Sequence, residues 1–178
     1  MHRNEIIDRR RRFRIEGYTT LGEVNFDGNW VTPLQIISDN SSGPVLVALN
    51  WFDRPSFLKN ERTLRKLGYL PSINFNIVLD QALEYAGLSR GDVYMTQVFH
   101  LLPETRSQAV PTEHMRKSFD QVTRHELRGR AVVALGSAAA KFCREFRIDH
   151  VASIHPSARG LSFQRRSELI SESLSSVL

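Results

Sequence analysis

The 178-residue chain has one cysteine, Cys143. A single thiol cannot close an internal disulfide, nor supply the several thiolates of a cysteine-held zinc or iron–sulfur centre. His2, His100, His114, His125 and His150 show no ligand spacing, so no metal and no cofactor are expected. No apolar run approaches the ~20 residues of a membrane helix. The opening stretch MHRNEIIDRRRRFR is too charged for a signal peptide. There are no internal repeats and no low-complexity linker. These absences lead to the expectation of a cytoplasmic, monomeric protein with one domain over residues 1–178.

The composition, 41% hydrophobic and 24% charged, suits a chain that buries a core of its own. The formal net charge is +5, and its arginines are clustered. RRRRFR groups Arg9, Arg10, Arg11, Arg12 and Arg14; RHELRGR adds Arg124, Arg128 and Arg130; ARGLSFQRR adds Arg159, Arg165 and Arg166. Any one cluster reads as a solvated face. Three clusters of arginine rather than lysine point to phosphate, because the guanidinium fork matches phosphate oxygens. A polyanionic partner is expected.

The hydrophobic pattern divides the chain at about residue 44. Residues 4–15 read as a basic amphipathic helix, followed by an irregular lead-in through SDNSSGP at 38–44. Beyond it, short continuous apolar runs alternate with helical periodicity. VLVALN (45–50), DVYMTQVF (92–99), AVVALG (131–136) and HVASI (150–154) read as buried strands; INFNIVLDQALEYAGL (73–88), PTEHMRKSFDQVTRHEL (111–127) and SAAAKFCREF (137–146) read as helices. This alternation predicts an α/β fold of three layers, α/β/α, around a central four-stranded parallel sheet, with the core spanning 44–170. In such a fold the chemistry gathers at the carboxyl ends of the strands. Those ends carry NWFDRPSF, TQVFHLLPE, GSAAA and HPSARG.

In order and spacing, GLSRGDVYMTQVFHLLPETRSQAVPTEHMRKSFDQV, RAVVALGSAAAKF and SIHPSARG resemble the uracil-DNA glycosylase superfamily, closest in pattern to its iron–sulfur branch. The resemblance covers about residues 44–170. It implies a DNA glycosylase that flips a pyrimidine out of the helix and hydrolyses its bond to deoxyribose. Three features depart from the pattern. The four cysteines of the iron–sulfur branch are missing. The first loop reads Ala48-Leu49-Asn50-Trp51-Phe52, which puts asparagine at the water-activating position, as in the thymine/mismatch branch. The base-reading asparagine expected after Thr96 is Gln97.

The resemblance assigns residues to steps. Excision leaves a cation-like sugar and an anionic base, so it is helped by a positioned water and by a donor to the base. His155 is expected to donate to the pyrimidine O2, and Asn50 to hold the water, with Asp53 an alternative water activator. Gln97 is expected to read the base edge. Phe52, Phe57 and Phe75 are the candidates for stacking on the base, and sequence does not choose among them. Pro156, Ser157 and Arg159 are expected at the DNA backbone and in the gap left by the flipped nucleotide, with Arg9, Arg10, Arg11 and Arg12 on phosphates. No lysine occupies a motif position, so lyase chemistry is not expected. The rebuilt first loop leaves two substrates open: uracil, or a larger C5-substituted pyrimidine such as a hydroxymethylated or glucosylated base, which would suit defence against phage with modified DNA. A catalytically inactive DNA- or nucleotide-binding member of the same fold is the alternative. A flavodoxin-like nucleotide binder shares the sheet but gives no reason for His-Pro-Ser.

Overall fold

The computed structural model describes residues 2–178. In chain order the elements are α1 (Arg3–Arg12), β1 (Tyr18–Thr19), β2 (Val45–Asn50), α2 (Arg54–Lys59), α3 (Glu61–Leu67), α4 (Asn74–Tyr85), β3 (Tyr94–Phe99), β4 (Leu102–Pro103), α5 (Thr112–Ser118), α6 (Arg124–Leu127), β5 (Val132–Leu135), α7 (Ser137–Glu145), β6 (Val151–Ser153) and α8 (Phe163–Ser175). A π turn, Phe119–Thr123, joins α5 to α6 into one helical stretch. The four apolar runs form one parallel sheet in the order β3-β2-β5-β6, and β1 pairs with β4 in a small antiparallel ribbon.

Both faces of the sheet are covered, which is why its strands are apolar without alternation. Leu46, Met95, Val133 and Leu135 pack against Val78, Leu79 and Leu83 of α4 and Ile170 and Leu174 of α8. Val45, Val47, Val98 and Ala134 pack on the opposite face against Phe119, Leu127, Ala139 and Phe142. These are the expected three layers. The lead-in is part of this packing, since Ile6, Ile7, Phe13 and Val31 close over Phe99 and Leu101. The core also runs past residue 170, because α8 carries buried Ile170 and Leu174 on one face.

The topology fixes where a ligand can enter. From β2 the chain crosses to β3 on one side, then returns past β2 to reach β5 on the other. The connections therefore diverge between β2 and β5, and the crevice of an open parallel sheet lies at that divergence, outside the carboxyl ends. Asn50 ends β2, Gly136 follows β5, and His155 lies two residues beyond β6. Adjacent strands are ~4.8 Å apart, so β2 and β6 stand about 10 Å apart across β5.

Candidate active site

His155 has the most defined environment on this edge. The backbone N–H of Ser157 donates to its Nδ1 at 3.0 Å. An amide can only donate, so Nδ1 holds a lone pair and the proton of the neutral ring is on Nε2. Burial pushes the pKa of His155 below the ordinary histidine value, which keeps the ring neutral. The result is a neutral imidazole with one N–H donor. Phe75, the second residue of α4, meets the ring edge-on at 5.3 Å between centroids.

The backbone around the histidine is held from two sides. Gly136, at φ +100°, lies so close that a Cβ there would stand 3.1 Å from the His155 Cβ. A side chain at 136 would thus both strain the backbone and push on the imidazole. On the other side Arg166 of α8 is 7% exposed; its guanidinium donates to the Pro156 carbonyl at 2.7 Å and to the Ser162 carbonyl at 3.3 Å. Ser162 in turn caps α8 by accepting from the Arg165 N–H. Arg166 therefore staples the histidine loop to the last helix. The sequence reading placed it in a phosphate-facing cluster; its burial and two carbonyl partners correct that.

The loop after β2 is organised differently. Asn50 is exposed, and its side-chain amide has no hydrogen-bond partner among the described residues. Trp51 donates from Nε1 to the Gly68 carbonyl at 2.7 Å, and Phe52 packs edge-on against it at 5.2 Å. Asp53 is 8% exposed and caps α2, its carboxylate accepting from the Ser56 N–H and hydroxyl at 2.9 and 2.7 Å. A carboxylate held by two donors at a helix start is a cap, so Asp53 is corrected from water activator to structural residue. Phe57 is likewise corrected: it is fully buried, stacked on Phe26 at 5.4 Å, and offers no face to a base. Of the three aromatic candidates, Phe52 and Phe75 remain partly exposed, and only Phe75 touches His155.

Gln97 departs from expectation. It is 2% exposed, its Nε2 donates to the Phe99 carbonyl at 3.0 Å, and its Oε1 accepts from Thr32 at 3.2 Å. Both ends of the amide are occupied within the protein, so it is not a free group for a base edge. Behind it lies a polar network that sequence reasoning missed. Glu126 is buried and accepts from Gln35, Tyr94 and Thr96. Burial pushes its carboxyl up to about 7 despite those donors. A glutamate in the polar pattern of a helix gave no sign of this in the sequence.

The arginines divide as well. Arg10 is buried beneath α1, paired with Asp27 at 2.8 Å and lying over the Trp30 ring, which corrects its assignment to an exposed phosphate face. Arg11 is exposed but ion-paired to Asp8 and Asp27. Arg9, Arg12 and Arg159 are exposed with no acidic partner among the described residues. Ser157 is exposed and Pro156 buried, and two apolar side chains, Leu161 and Phe163, stand exposed beyond Arg159.

Among the described residues, no group of three or more His, Cys, Asp or Glu side chains is placed to hold a metal ion, and no helix is long and apolar enough to cross a membrane. The iron–sulfur branch resembled by the sequence implies a cluster held by four cysteines. Here Cys143 is buried on α7 with its thiol pushed up to about 12 by burial. The residues present do not fit such a cluster. No individually curated protein matches the chain. A profile of the uracil DNA glycosylase superfamily matches residues 71–175, which takes in β3, β5, β6, the histidine loop and all of α8. The parallel sheet, the histidine at its carboxyl edge and that match lead to one conclusion: the chain belongs to the uracil DNA glycosylase superfamily.

Proposed function

We propose that the protein is a monofunctional DNA glycosylase that excises uracil or a C5-substituted pyrimidine from DNA and leaves an abasic site. The observation that carries this reading is the Ser157 N–H on His155 Nδ1. It presets the neutral imidazole as an Nε2–H donor for the oxygen on which charge develops as the base leaves. Such a donor, fixed before the reaction, stabilises the transition state without reorganising. Asn50, across the glycine floor of Gly136, orients the attacking water; as an amide it positions but cannot deprotonate it. Phe75 is the aromatic wall of the base site. Gly136 leaves the space between these groups open.

The DNA is engaged by the same loop. Ser157 and the exposed Arg9, Arg12 and Arg159 contact phosphates, while Pro156 stiffens the turn. Arg159 and Leu161 occupy the gap left by the flipped nucleotide, as side chains do that hold a kinked or opened duplex. The protein acts as a cytoplasmic monomer, in base-excision repair if uracil is the substrate and in defence against modified phage DNA if a substituted base is. Because Gln97 is engaged inside the protein, selection at C5 falls to the loop Asn50–Phe57 and the start of α4. The test is direct. Purified protein is incubated with DNAs carrying uracil, thymine mismatches, hydroxymethylcytosine or glucosylated hydroxymethylcytosine, and alkali-labile abasic sites are scored. Abasic sites at one of these bases support the proposal; DNA binding without abasic sites at any of them would favour the inactive binding member.

A further inference from the structure

At the end of the sheet edge opposite His155, a cavity of about 130 Å³ opens between α1, the lead-in and the residues after β3. Arg10, Arg11, Arg14, Thr20, Asp27 and His100 are among its lining residues. Three guanidinium groups and the Asp27 carboxylate line it; Asp8, outside the lining, also pairs with Arg11, which leaves an excess of one positive charge. His100 adds none, because burial and the neighbouring Arg10 push it down to about 3. Glu23, also close by, is held on the Thr20 N–H and hydroxyl.

Two of the lining side chains are incompletely satisfied. Arg10 is 5% exposed and His100 3%, and among the described residues Arg10 Nε and His100 Nδ1 have no hydrogen-bond partner. Thr123 donates its hydroxyl to the Gln97 carbonyl and accepts from His100 Nε2, which leaves Nδ1 as the ring's bare lone pair. A buried N–H without an acceptor and a ring nitrogen without a donor are each unfavourable. A hydrated oxyanion meets both needs, an oxygen for the guanidinium and a water proton for the imidazole. At ~30 Å³ per water the cavity has room for about four waters, enough for a phosphate group in their place. Arginine is the side chain whose fork best fits it.

We propose that this cavity binds a phosphate group. Its position suggests which one. His100 directly follows Phe99, whose register partner on β2 is Asn50. The cavity thus stands about one strand spacing from the proposed water site and about 14 Å from the β6 end that carries His155. A phosphodiester of the target strand lies within that range of an extruded nucleotide, and a free phosphate or nucleoside monophosphate presents the same chemistry. The DNA source rests on the glycosylase reading; phosphate binding does not.

The experiment uses the full chain and the double variant R11S/R14S, whose side chains are exposed, with the fold checked by circular dichroism. Inorganic phosphate is added in a thermal melt. Separately, affinity is measured for a short duplex carrying one non-hydrolysable 2′-fluoro-deoxyuridine, with single methylphosphonates replacing each flanking phosphate in turn. If the source is DNA, one methylphosphonate weakens the wild type about tenfold and leaves R11S/R14S unchanged. If the source is free phosphate, phosphate raises the wild-type Tm by roughly 2–4 °C and that of the variant by less, with no such coupling on DNA. Equal Tm shifts in both proteins together with equal losses at every methylphosphonate overturn the proposal. Because affinity is read without excision, coupling in a protein that removes no base would retain the site and reject the glycosylase reading.

Discussion

The two loops that flank the crevice are built in opposite ways. The histidine loop after β6 is fixed at every turn: Ser157 sets the tautomer, Ala158 closes the turn on the His155 carbonyl, Gly136 backs the ring and Arg166 ties Pro156 to α8. The loop after β2 is anchored only beyond Asn50. Trp51, Asp53 and Phe57 are locked into a helix cap and an aromatic cluster, while Asn50 is exposed at the strand end with an amide that has no partner among the described residues. The difference matches the tasks proposed for the two sides. A donor to developing charge must be oriented before the reaction, since its value falls steeply with misplacement. A group that holds a water can gain its final geometry from the water and the sugar.

The contrast is tested most severely by substitutions on each side. Asn50→Ala should lower single-turnover excision on the order of 10²-fold or more on every substrate. Being exposed, it should shift stability by no more than about 0.5 kcal/mol. A variant that keeps most of its rate would remove the water-holding side of the crevice. Arg166→Ala should instead lower both quantities. Losing a buried guanidinium that satisfies two carbonyls should cost about 2–3 kcal/mol in denaturant unfolding and slow excision about tenfold to hundredfold, through a displaced histidine. Full activity at reduced stability would mean that the loop holds His155 without its staple.

Two smaller effects sharpen the contrast. Gln97→Asn should destabilise by about 1–2 kcal/mol, because the shorter amide cannot reach both the Phe99 carbonyl and Thr32. The order of preference among bases should stay as it is; a reversed order would return Gln97 to the base site. The pH profile tests His155. Its pKa lies below the ordinary value, so the neutral ring persists as pH falls through 6.5. The acid limb of kcat/KM should therefore appear below 6.5 and move up toward it in Phe75→Ala, which relieves the burial that lowers the pKa. A wild-type limb at or above 6.5 would contradict the neutral-donor assignment.

Much of this arrangement was legible in the sequence, for identifiable reasons. The strands of a two-sided parallel sheet are continuous apolar runs, so VLVALN was read at its observed bounds and the other three to within two residues. The edge positions of Asn50, Gly136 and His155 follow from that reading. Residues whose role depends on a distant partner were illegible. Asp53 reads as a carboxylate near a loop until the Ser56 N–H is seen to need a cap. Arg10 reads as one of a basic run until Asp27 and Trp30 close over it, and Arg166 until Pro156 folds back ten residues to meet it. Gln97 sits in a strand that periodicity identifies, but Thr32, which occupies its amide, lies 65 positions away in the lead-in. The lead-in itself has no regular pattern, and its contribution to the core comes from scattered residues such as Ile7, Phe13 and Val31.

The central claim is that a neutral His155, preset by Ser157, is the catalytic donor of a DNA glycosylase. The most direct test compares wild type with His155→Ala in single-turnover excision at saturating enzyme, on whichever base the wild type releases, alongside affinity for the same DNA and urea unfolding. The account predicts a rate loss on the order of 10²–10³-fold, with affinity and unfolding midpoint nearly unchanged, because the lost interaction forms with charge that exists only in the transition state. A His155→Ala protein that excises at close to the wild-type rate would contradict it.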